Sequence, residues 1–155
     1  MRPIIELKKL NLISWPVLLC GFRKGWVTKS DIADYATQHL ANYPDQDDHS
    51  IILLASANFW DNAEVNELLL QAINNPAWHQ EALNKWKLAK LLALSNSKLS
   101  NQEKIDKLQE VYAELDYPKE MVSCSIYSQD AIDPLVAMDQ VISLLKKEVV
   151  NPQPH

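Results

Sequence analysis

The sequence predicts an all-α protein, and three features of its composition and patterning favour that class. Only two glycines occur in 155 residues, too few for the turns of a many-stranded sandwich or barrel. Leu, Ala, Lys, Gln and Glu, which favour helices, are abundant. Apolar residues recur at helical spacing in several segments between short polar turns. We therefore expect an irregular helical bundle or a short α-solenoid-like stack of about seven to nine helices.

The length of the chain fits one domain. Residues 1–150 are predicted to form a single helical domain, and residues 151–155 a C-terminal tail that frays. Hydrophobic residues make up 47% of the chain and charged residues 23%, which is enough apolar surface for a buried core.

The N-terminus places Arg and Lys ahead of an apolar stretch, a pattern that superficially resembles a signal peptide. Asn11, Ser14 and Pro16 interrupt that stretch, which leaves it too short and broken to span a bilayer. Leu19, directly before Cys20, is too large for the small residue that a lipoprotein cleavage site requires. We therefore expect two short amphipathic helices here and a cytoplasmic protein.

The next helix boundaries are marked by capping residues. Ser14, followed by Trp and Pro, is predicted to cap a helix that ends at Gly21 or Gly25. Residues 28–31 offer a cap for the following helix, which stops at Tyr43 before a proline. Its predicted apolar stripe is Ile32, Tyr35, Ala36, His39 and Leu40.

The middle of the chain contains a continuous apolar run, followed by two helical patterns that are separated by a proline. Residues 50–57 could form a buried helix or a strand, and we predict a helix because the neighbouring segments are helical. Asp61 or Asn62 is predicted to cap a helix that ends at residues 74–76, and residues 77–94 to form a long central helix. The stripe of the first of these two helices is Val65, Leu68, Leu69, Ala72 and Ile73.

The last third begins with a predicted capping box between Ser100 and Glu103. Residues 119–128 are rich in β-branched side chains, so the pattern leaves their conformation open. Asp133 is predicted to cap a final helix. Its inward residues are Leu135, Met138, Ile142, Leu145 and Val149.

The charges are distributed unevenly along the chain. Residues 1–29 carry a net charge of +5, residues 30–84 contain nine carboxylates and neither Lys nor Arg, and residues 85–155 carry −1. Clustered like charge repels itself, and a cationic partner would offset that cost. The plain alternative is that acidic helix faces keep the protein soluble. Direct nucleic-acid binding is not expected, because phosphate contacts require a basic surface.

The predicted partner-binding surface lies in this acidic segment. Trp60 stands beside Asp61 between two apolar segments, and an aromatic ring among carboxylates is typical of an interface hot spot. The alternative is that Phe59 and Trp60 fill a corner between helices. The predicted surface, with Trp60 or Tyr43 as its apolar anchor, consists of Tyr43, Asp45, Asp47, Asp48, Trp60, Asp61, Glu64 and Glu67.

No pattern in the sequence predicts catalysis or a cofactor. HExxH and GxSxG are missing, and no Cys/His pair has the spacing of zinc ligands. Residues 45–49 are rich in oxygen ligands for Mg²⁺, Ca²⁺ or Mn²⁺, but they lack the glycine and final glutamate of an EF-hand loop. A metal-dependent enzyme is therefore the less favoured alternative. Cys20 and Cys124 are expected to be buried free thiols in a reducing compartment.

Two stretches carry a family resemblance. Residues 12–36 contain an aliphatic-x-Trp opening, a G-x-x-x-G-W motif and a D-aliphatic-x-x-Y-A motif, and residues 112–121 read Y-x-x-L-x-Y-P-x-x-M. In these motifs the chain resembles a bacterial family of small all-helical proteins of unknown function, which are similar to immunity proteins of toxin systems such as contact-dependent growth inhibition. The matching residues are Trp15, Gly21, Gly25, Trp26, Asp31, Ile32, Tyr35, Ala36, Tyr112, Leu115, Tyr117, Pro118 and Met121.

The resemblance implies a cytoplasmic protein that binds and neutralises a cognate toxin domain, often a nuclease. It carries over no catalytic residues, so we expect a binding protein without enzymatic activity or cofactor. Clustered carboxylates suit this function, because a nuclease must bind phosphates in a basic cleft. The alternative is a helical adaptor whose basic partner is not a toxin. Membrane binding is not expected.

Overall fold

The structure is a computed structural model that describes residues 2–45, 48–74, 77–129 and 131–150. Within these ranges the chain forms helices and no strand, so the predicted all-α class is confirmed. The α-helices are α1 (Pro3–Lys9), α2 (Trp15–Lys24), α3 (Lys29–Asn42), α4 (His49–Leu54), α5 (Asn62–Gln71), α6 (Trp78–Ser95), α7 (Asn101–Glu114) and α8 (Pro134–Val149). Two 3₁₀ helices span Ala57–Phe59 and Lys119–Cys124.

The chain divides into two compact units. Residues 13–83 form what we call the acidic unit, which contains α2 to α5 and carries nine carboxylates against three Lys or Arg. Residues 1–12 and 84–155 form the terminal unit, which contains α1, α7 and α8. The single-domain prediction for residues 1–150 stays a prediction, and the predicted tail, 151–155, lies outside the described residues.

The predicted caps of the acidic unit are largely confirmed. The Ser14 hydroxyl accepts a hydrogen bond from the backbone amide three residues later, at 3.4 Å. Gly25, rather than Gly21, ends α2, and its φ of +79° is a left-handed conformation that glycine adopts without a Cβ penalty. Thr28 and Asp31 form a reciprocal capping box at the start of α3, with bonds of 3.1 and 3.0 Å.

The core of the acidic unit forms where α5 packs against α2 and α4, and where α3 packs against α4. The predicted stripe of α3 is confirmed by the buried Ile32 and Ala36, and Val65 and Leu69 are the buried part of the α5 stripe. The helix predicted for residues 50–57 is correct only as far as Leu54. Beyond it the backbone tightens, because the amides of residues 55 and 56 bond to carbonyls three residues back.

The terminal unit contains most of α6, the long helix predicted for residues 77–94, and every residue from 86 to 94 is buried. Two of these buried residues are lysines. Lys87 Nζ lies 2.7 Å from Glu120 Oε1, and Lys90 Nζ lies 2.6 Å from Glu114 Oε2. Each buried ammonium therefore has a carboxylate partner, which offsets the cost of removing the charge from water.

The segment that the sequence left open, residues 119–128, begins with a 3₁₀ helix rather than a strand. Gln109 of α7 bridges its end, since its Nε2 donates to the Cys124 carbonyl at 3.0 Å and its Oε1 accepts from the Ile126 amide at 3.1 Å. Asp133 caps α8 as predicted. Half of the predicted capping box at α7 is confirmed, since the Ser100 hydroxyl accepts from the Glu103 amide at 3.2 Å. The other half differs, because the Glu103 carboxylate accepts from the Ser100 hydroxyl, at 2.9 Å, and not from the Ser100 amide.

Candidate partner-binding site

Trp60 is held in place by hydrogen bonds from three directions. Its indole Nε1 donates to the carbonyl oxygen of Leu53, at 3.2 Å. Its backbone amide donates to the Ala57 carbonyl at 3.2 Å, and its own carbonyl accepts from Lys29 Nζ. The ring is half-buried. Trp60 is therefore a fixed aromatic surface, because its indole donor is satisfied by the protein itself.

Trp60 forms one wall of a groove of about 350 Å³ on the acidic unit. The N-cap and the first two turns of α5 contribute most of the other lining residues, and the end of α4 contributes Leu53. Trp60, Leu53, Ala63 and Leu68 are apolar, while the other lining residues carry carboxylates. We call this the acidic groove, and its lining residues are Leu53, Trp60, Asp61, Ala63, Glu64, Glu67 and Leu68.

The carboxylates of the acidic groove recur at every third position along the chain. Asp61 is the N-cap of α5, and its Oδ1 accepts from the Glu64 amide at 2.8 Å. Glu64 and Glu67 follow on one face of the helix, both exposed. Neither forms an ion pair with a Lys or Arg in the part of the chain that the structure describes. Both side chains are thus available to a cationic ligand.

The other residues of the predicted surface have different surroundings. Tyr43 is 61% exposed, and it lines, with Asp45, a recess of about 400 Å³ that shares no residue with the acidic groove. The Tyr43 ring centroid lies 4.8 Å from that of His39, which supports the ring on one side. The structure therefore brings four of the eight predicted residues together in the groove and places two in this recess.

Asp48 has a structural task that the sequence analysis did not predict. Its Oδ1 accepts from the Ser50 amide at 3.0 Å and from the Ser50 hydroxyl at 2.6 Å, which caps α4. A carboxylate engaged in this way stabilises the helix start. Asp47, the remaining residue of the predicted surface, lies outside the described residues.

The alternative in which Phe59 and Trp60 fill a corner between helices is wrong for Phe59. Its side chain is 89% exposed, although apolar segments precede and follow it in the sequence. The groove also contains three apolar residues that were not predicted from the sequence, Leu53, Ala63 and Leu68. Leu68 belongs to the predicted inward stripe of α5. In the structure it is half-buried, so it lies at the boundary between core and surface.

Two cationic side chains from outside the acidic segment, residues 30–84, contact it in the structure. Arg23 Nε donates to Asn66 Oδ1 at 2.9 Å, which places a guanidinium against α5. The same guanidinium lies 5.6 Å from the ring centre of Trp78. Cations from α2 and from the start of α3 thus contact a segment whose own sequence contains neither Lys nor Arg.

The remaining chemistry of the described residues is limited. Within them, no group of three or more His, Cys, Asp or Glu side chains is arranged to hold a metal ion, although the proposed ligand segment 45–49 includes two residues that are not described. Cys20 and Cys124 are unpaired and buried, as predicted. Burial raises the pKa of the Cys124 thiol to about 11, which disfavours the reactive thiolate. In the described chain, no helix is both long and apolar enough for a membrane span.

Residues 5–147 match the model of a bacterial protein family described as "uncharacterized protein conserved in bacteria". This match covers most of the chain and agrees with the resemblance to a bacterial family of unknown function that was inferred from its motifs. No curated protein and no solved structure matches the chain.

Proposed function

The chain belongs to the bacterial family DUF2247, and we propose that it is an immunity protein. In this proposal it binds and neutralises a cognate toxin domain, most simply a nuclease, in the cytoplasm. It inhibits the toxin by binding to it and catalyses no reaction. It needs no cofactor, nucleic acid or membrane. The partner-binding residues are those of the acidic groove, with the exposed Phe59 beside it.

The observation that supports this proposal is the combination of a fixed aromatic wall with a row of carboxylates. Interface hot spots pair a desolvated aromatic ring with surrounding polar groups. Trp60 supplies the ring, whose indole donates to the Leu53 carbonyl, while two further hydrogen bonds hold the Trp60 backbone. Glu64 and Glu67 supply exposed negative charge within the same groove.

A nuclease suits this groove for electrostatic reasons. Its active cleft must be basic in order to bind phosphates, and carboxylates on an inhibitor would match that charge. Complementary charge raises association rates toward about 10⁸–10⁹ M⁻¹s⁻¹ at low salt. An immunity protein benefits from such speed, because the toxin must be captured before it cleaves its substrate. Association should accordingly slow as ionic strength rises.

The test is co-expression with a toxin domain encoded immediately upstream of this gene. We expect the wild-type chain to restore growth and to co-purify with the toxin. The double variant Glu64→Lys/Glu67→Lys should lose both properties, because the reversed charges repel a basic cleft. The matched control is Asp139→Lys/Glu148→Lys, which changes the net charge equally at exposed positions of α8.

Four outcomes would contradict the proposal. Full protection by the Glu64→Lys/Glu67→Lys variant would show that the acidic groove is not the toxin-binding site. Equal loss in both double variants would show that net charge, and not this groove, is what matters. Growth inhibition that the wild-type chain does not relieve, or the lack of a toxin gene beside it, would favour an adaptor whose basic partner is not a toxin.

A further inference from the structure

We propose that the terminal unit binds a nucleoside di- or triphosphate, an organic molecule that carries several negative charges close together. The site is a recess of about 620 Å³, and its lining residues come from α1, from the end of α6 and the turn after it, and from α7. We call it the basic recess, because four of its lining residues are cations: Arg2, Lys9, Lys98 and Lys107. None of its lining residues belongs to the acidic groove, so this ligand is additional to the proposed toxin partner.

One face of α1 supplies two of these cations. Arg2 and Lys9 stand at the two ends of the helix, as its N-cap and its last residue. Ile5 and Glu6 lie between them, and the four positions, which follow the spacing i, i+3, i+4 and i+7, share one face of a helix. Ile5 is 44% exposed, so an apolar side chain lies at the surface between two cations. This face therefore offers both positive charge and apolar contact to a ligand in the recess.

The turn after α6 supplies Lys98, and two hydrogen bonds fix that turn. Ser97 Oγ donates to the Leu94 carbonyl at 2.7 Å. Lys104 Nζ donates to the Ser95 carbonyl at 3.0 Å. Carbonyl oxygens at the end of a helix carry partial negative charge that would repel an anion, and these bonds satisfy two of them. Lys98 is exposed, and its ammonium forms no hydrogen bond or ion pair within the described residues, so it is available to a ligand.

The lining residues of the basic recess carry a surplus of three positive charges, since Glu6 is the one carboxylate among them. Glu6 is buried, and its Oε1 lies 3.9 Å from Lys9 Nζ. Lys107 Nζ lies 2.8 Å from Glu110 Oε2, but both side chains are largely exposed, at 49% and 61%. A surface ion pair of this kind contributes little to stability, so a phosphate can replace Glu110 as the partner of Lys107. A ligand that balances this surplus carries two or more negative charges.

The size and the apolar part of the recess favour an organic ligand. Its volume lies within the range of about 300–1,000 Å³ that is usual for small-molecule sites, and a single inorganic phosphate would leave most of it to water. Besides Ile5, the recess is lined by Ala93 and by Leu99, which is half-buried. A base and its ribose can cover these apolar side chains while the phosphates reach the cations.

A nucleic acid fits this recess less well than a single nucleotide does. Glu103, Asp106 and Glu110 are exposed on the same face of α7 as Lys107, at helical spacing. These three carboxylates are not among the lining residues, and they would repel a phosphate backbone that continues beyond the recess. The net charge of the chain, −5, likewise opposes a long polyanion more than a compact one.

The experiment measures ATP binding to the full chain by calorimetry at low salt, with a chelator present so that Mg²⁺ does not neutralise the phosphates. The variant Lys9→Gln/Lys98→Gln should weaken ATP binding at least about tenfold, because two of the four cations are lost. The control Lys146→Gln/Lys147→Gln removes the same charge from exposed positions of α8, and it should change the Kd by less than about threefold. A wild-type chain that does not bind ATP, or equal ATP affinity in the wild type and Lys9→Gln/Lys98→Gln, overturns the site.

Two further ligands test the organic part of the proposal. Inorganic tripolyphosphate, which carries at least as much charge as ATP, should bind about tenfold more weakly because it makes no apolar contact. The variant Ile5→Ala should remove most of this difference, by weakening the binding of ATP and leaving that of tripolyphosphate unchanged. Equal affinity of the wild type for ATP and tripolyphosphate would show attraction of any polyanion and overturn the nucleotide. A single-stranded oligonucleotide of about 12 nucleotides that competes with ATP and binds more tightly would overturn it in favour of a nucleic acid.

Discussion

The ammonium group of Lys29 donates a hydrogen bond to the backbone carbonyl of Trp60, thirty-one residues later in the chain. This bond fastens the turn after the Ala57–Phe59 helix to the first turn of α3, and Ser30 adds a second link through Asn58, at 3.2 Å. Lys29 thus positions the aromatic wall of the acidic groove without lining it. Lys29, which directly precedes the acidic segment in the sequence, therefore helps to fix the position of Trp60 within that segment.

Replacing Lys29 with Met should lower both stability and partner affinity. A hydrogen bond from a charged donor contributes about 1.5–3 kcal/mol, and partial exposure reduces this, so we expect a loss of about 1–2 kcal/mol in the free energy of unfolding. Urea denaturation monitored by circular dichroism measures it. The control is Lys24→Met, at an exposed position of α2. An equally small change, within about 0.5 kcal/mol, in both variants would contradict the positioning role.

Local helix boundaries could be predicted from the sequence because capping is a short-range interaction. Ser14, Thr28 and Asp133 cap helices within three residues of themselves. Neighbouring residues alone predicted Ser14 and Asp133, and narrowed the cap of α3 to residues 28–31. The end of α4 at Leu54 was missed, since a continuous apolar run has no residue that marks where an α-helix tightens into a turn.

The groove could be predicted only in part, because it depends on contacts between elements. Asp61, Glu64 and Glu67 were predicted from the clustering of negative charge, which can be read within one segment. Leu53 and Leu68 were not, since their half-burial depends on how α4 packs against α5. The contact of Arg23 with Asn66 was missed for the same reason, since the two residues are forty-three positions apart in the sequence.

Phe59 offers a test of the interface that is independent of charge. Because its side chain is 89% exposed, Phe59→Ser should change the free energy of unfolding by no more than about 0.5 kcal/mol. If Phe59 belongs to the toxin interface, the same change should weaken toxin binding by tenfold or more, as expected for an aromatic hot spot that contributes about 2 kcal/mol. Surface plasmon resonance with the toxin domain provides the measurement.

The matched control for Phe59 is Tyr127, an aromatic side chain of the terminal unit that is 87% exposed. Tyr127→Ser should leave toxin affinity unchanged. Comparable weakening by both substitutions would point to a general effect of surface apolarity. A large loss of stability in Phe59→Ser would show that the ring packs against the protein.

The ion pair between Lys87 and Glu120 should make stability depend on pH. Partial burial, the largest single effect, raises the pKa of Glu120, but the hydrogen bond from Lys87, a backbone hydrogen bond and the charge of Lys87 together outweigh it and bring the pKa below its ordinary value of 4.5. The contribution of the pair is therefore present above pH 4.5 and is lost as the pH falls through the lower, folded-state pKa. At pH 7, Glu120→Gln should cost about 1–2 kcal/mol, because it leaves a buried ammonium with a weaker partner.

The measurement is the difference in unfolding free energy between wild type and Glu120→Gln from pH 7 down to pH 3. This difference should shrink in the acidic range. The double variant Lys87→Met/Glu120→Leu is the control, and it should be less destabilised than Glu120→Gln because no buried charge remains. A free-energy difference that stays constant with pH would show that the pKa of Glu120 is the same in the folded and unfolded states.

The two cysteines should be unreactive until the protein unfolds. Burial raises the pKa of Cys124 to about 11 from an ordinary 9.0 and raises the pKa of Cys20, against which Lys24 and Arg23 act. At pH 8 the thiolate of Cys124 is therefore about a hundredfold scarcer than in the unfolded chain, and labelling with a disulfide reagent should be slow. In concentrated urea both thiols should react at the rate of a model thiol. The Cys20→Ala variant assigns each reaction to one of the two cysteines.

The raised pKa of Cys124 also makes stability depend on pH. Because the fold favours the neutral thiol, this contribution to stability is complete below pH 9 and is lost as the pH rises toward 11. Rapid labelling of the native protein at pH 8 would show that the core around Cys124 opens far more readily than its burial indicates.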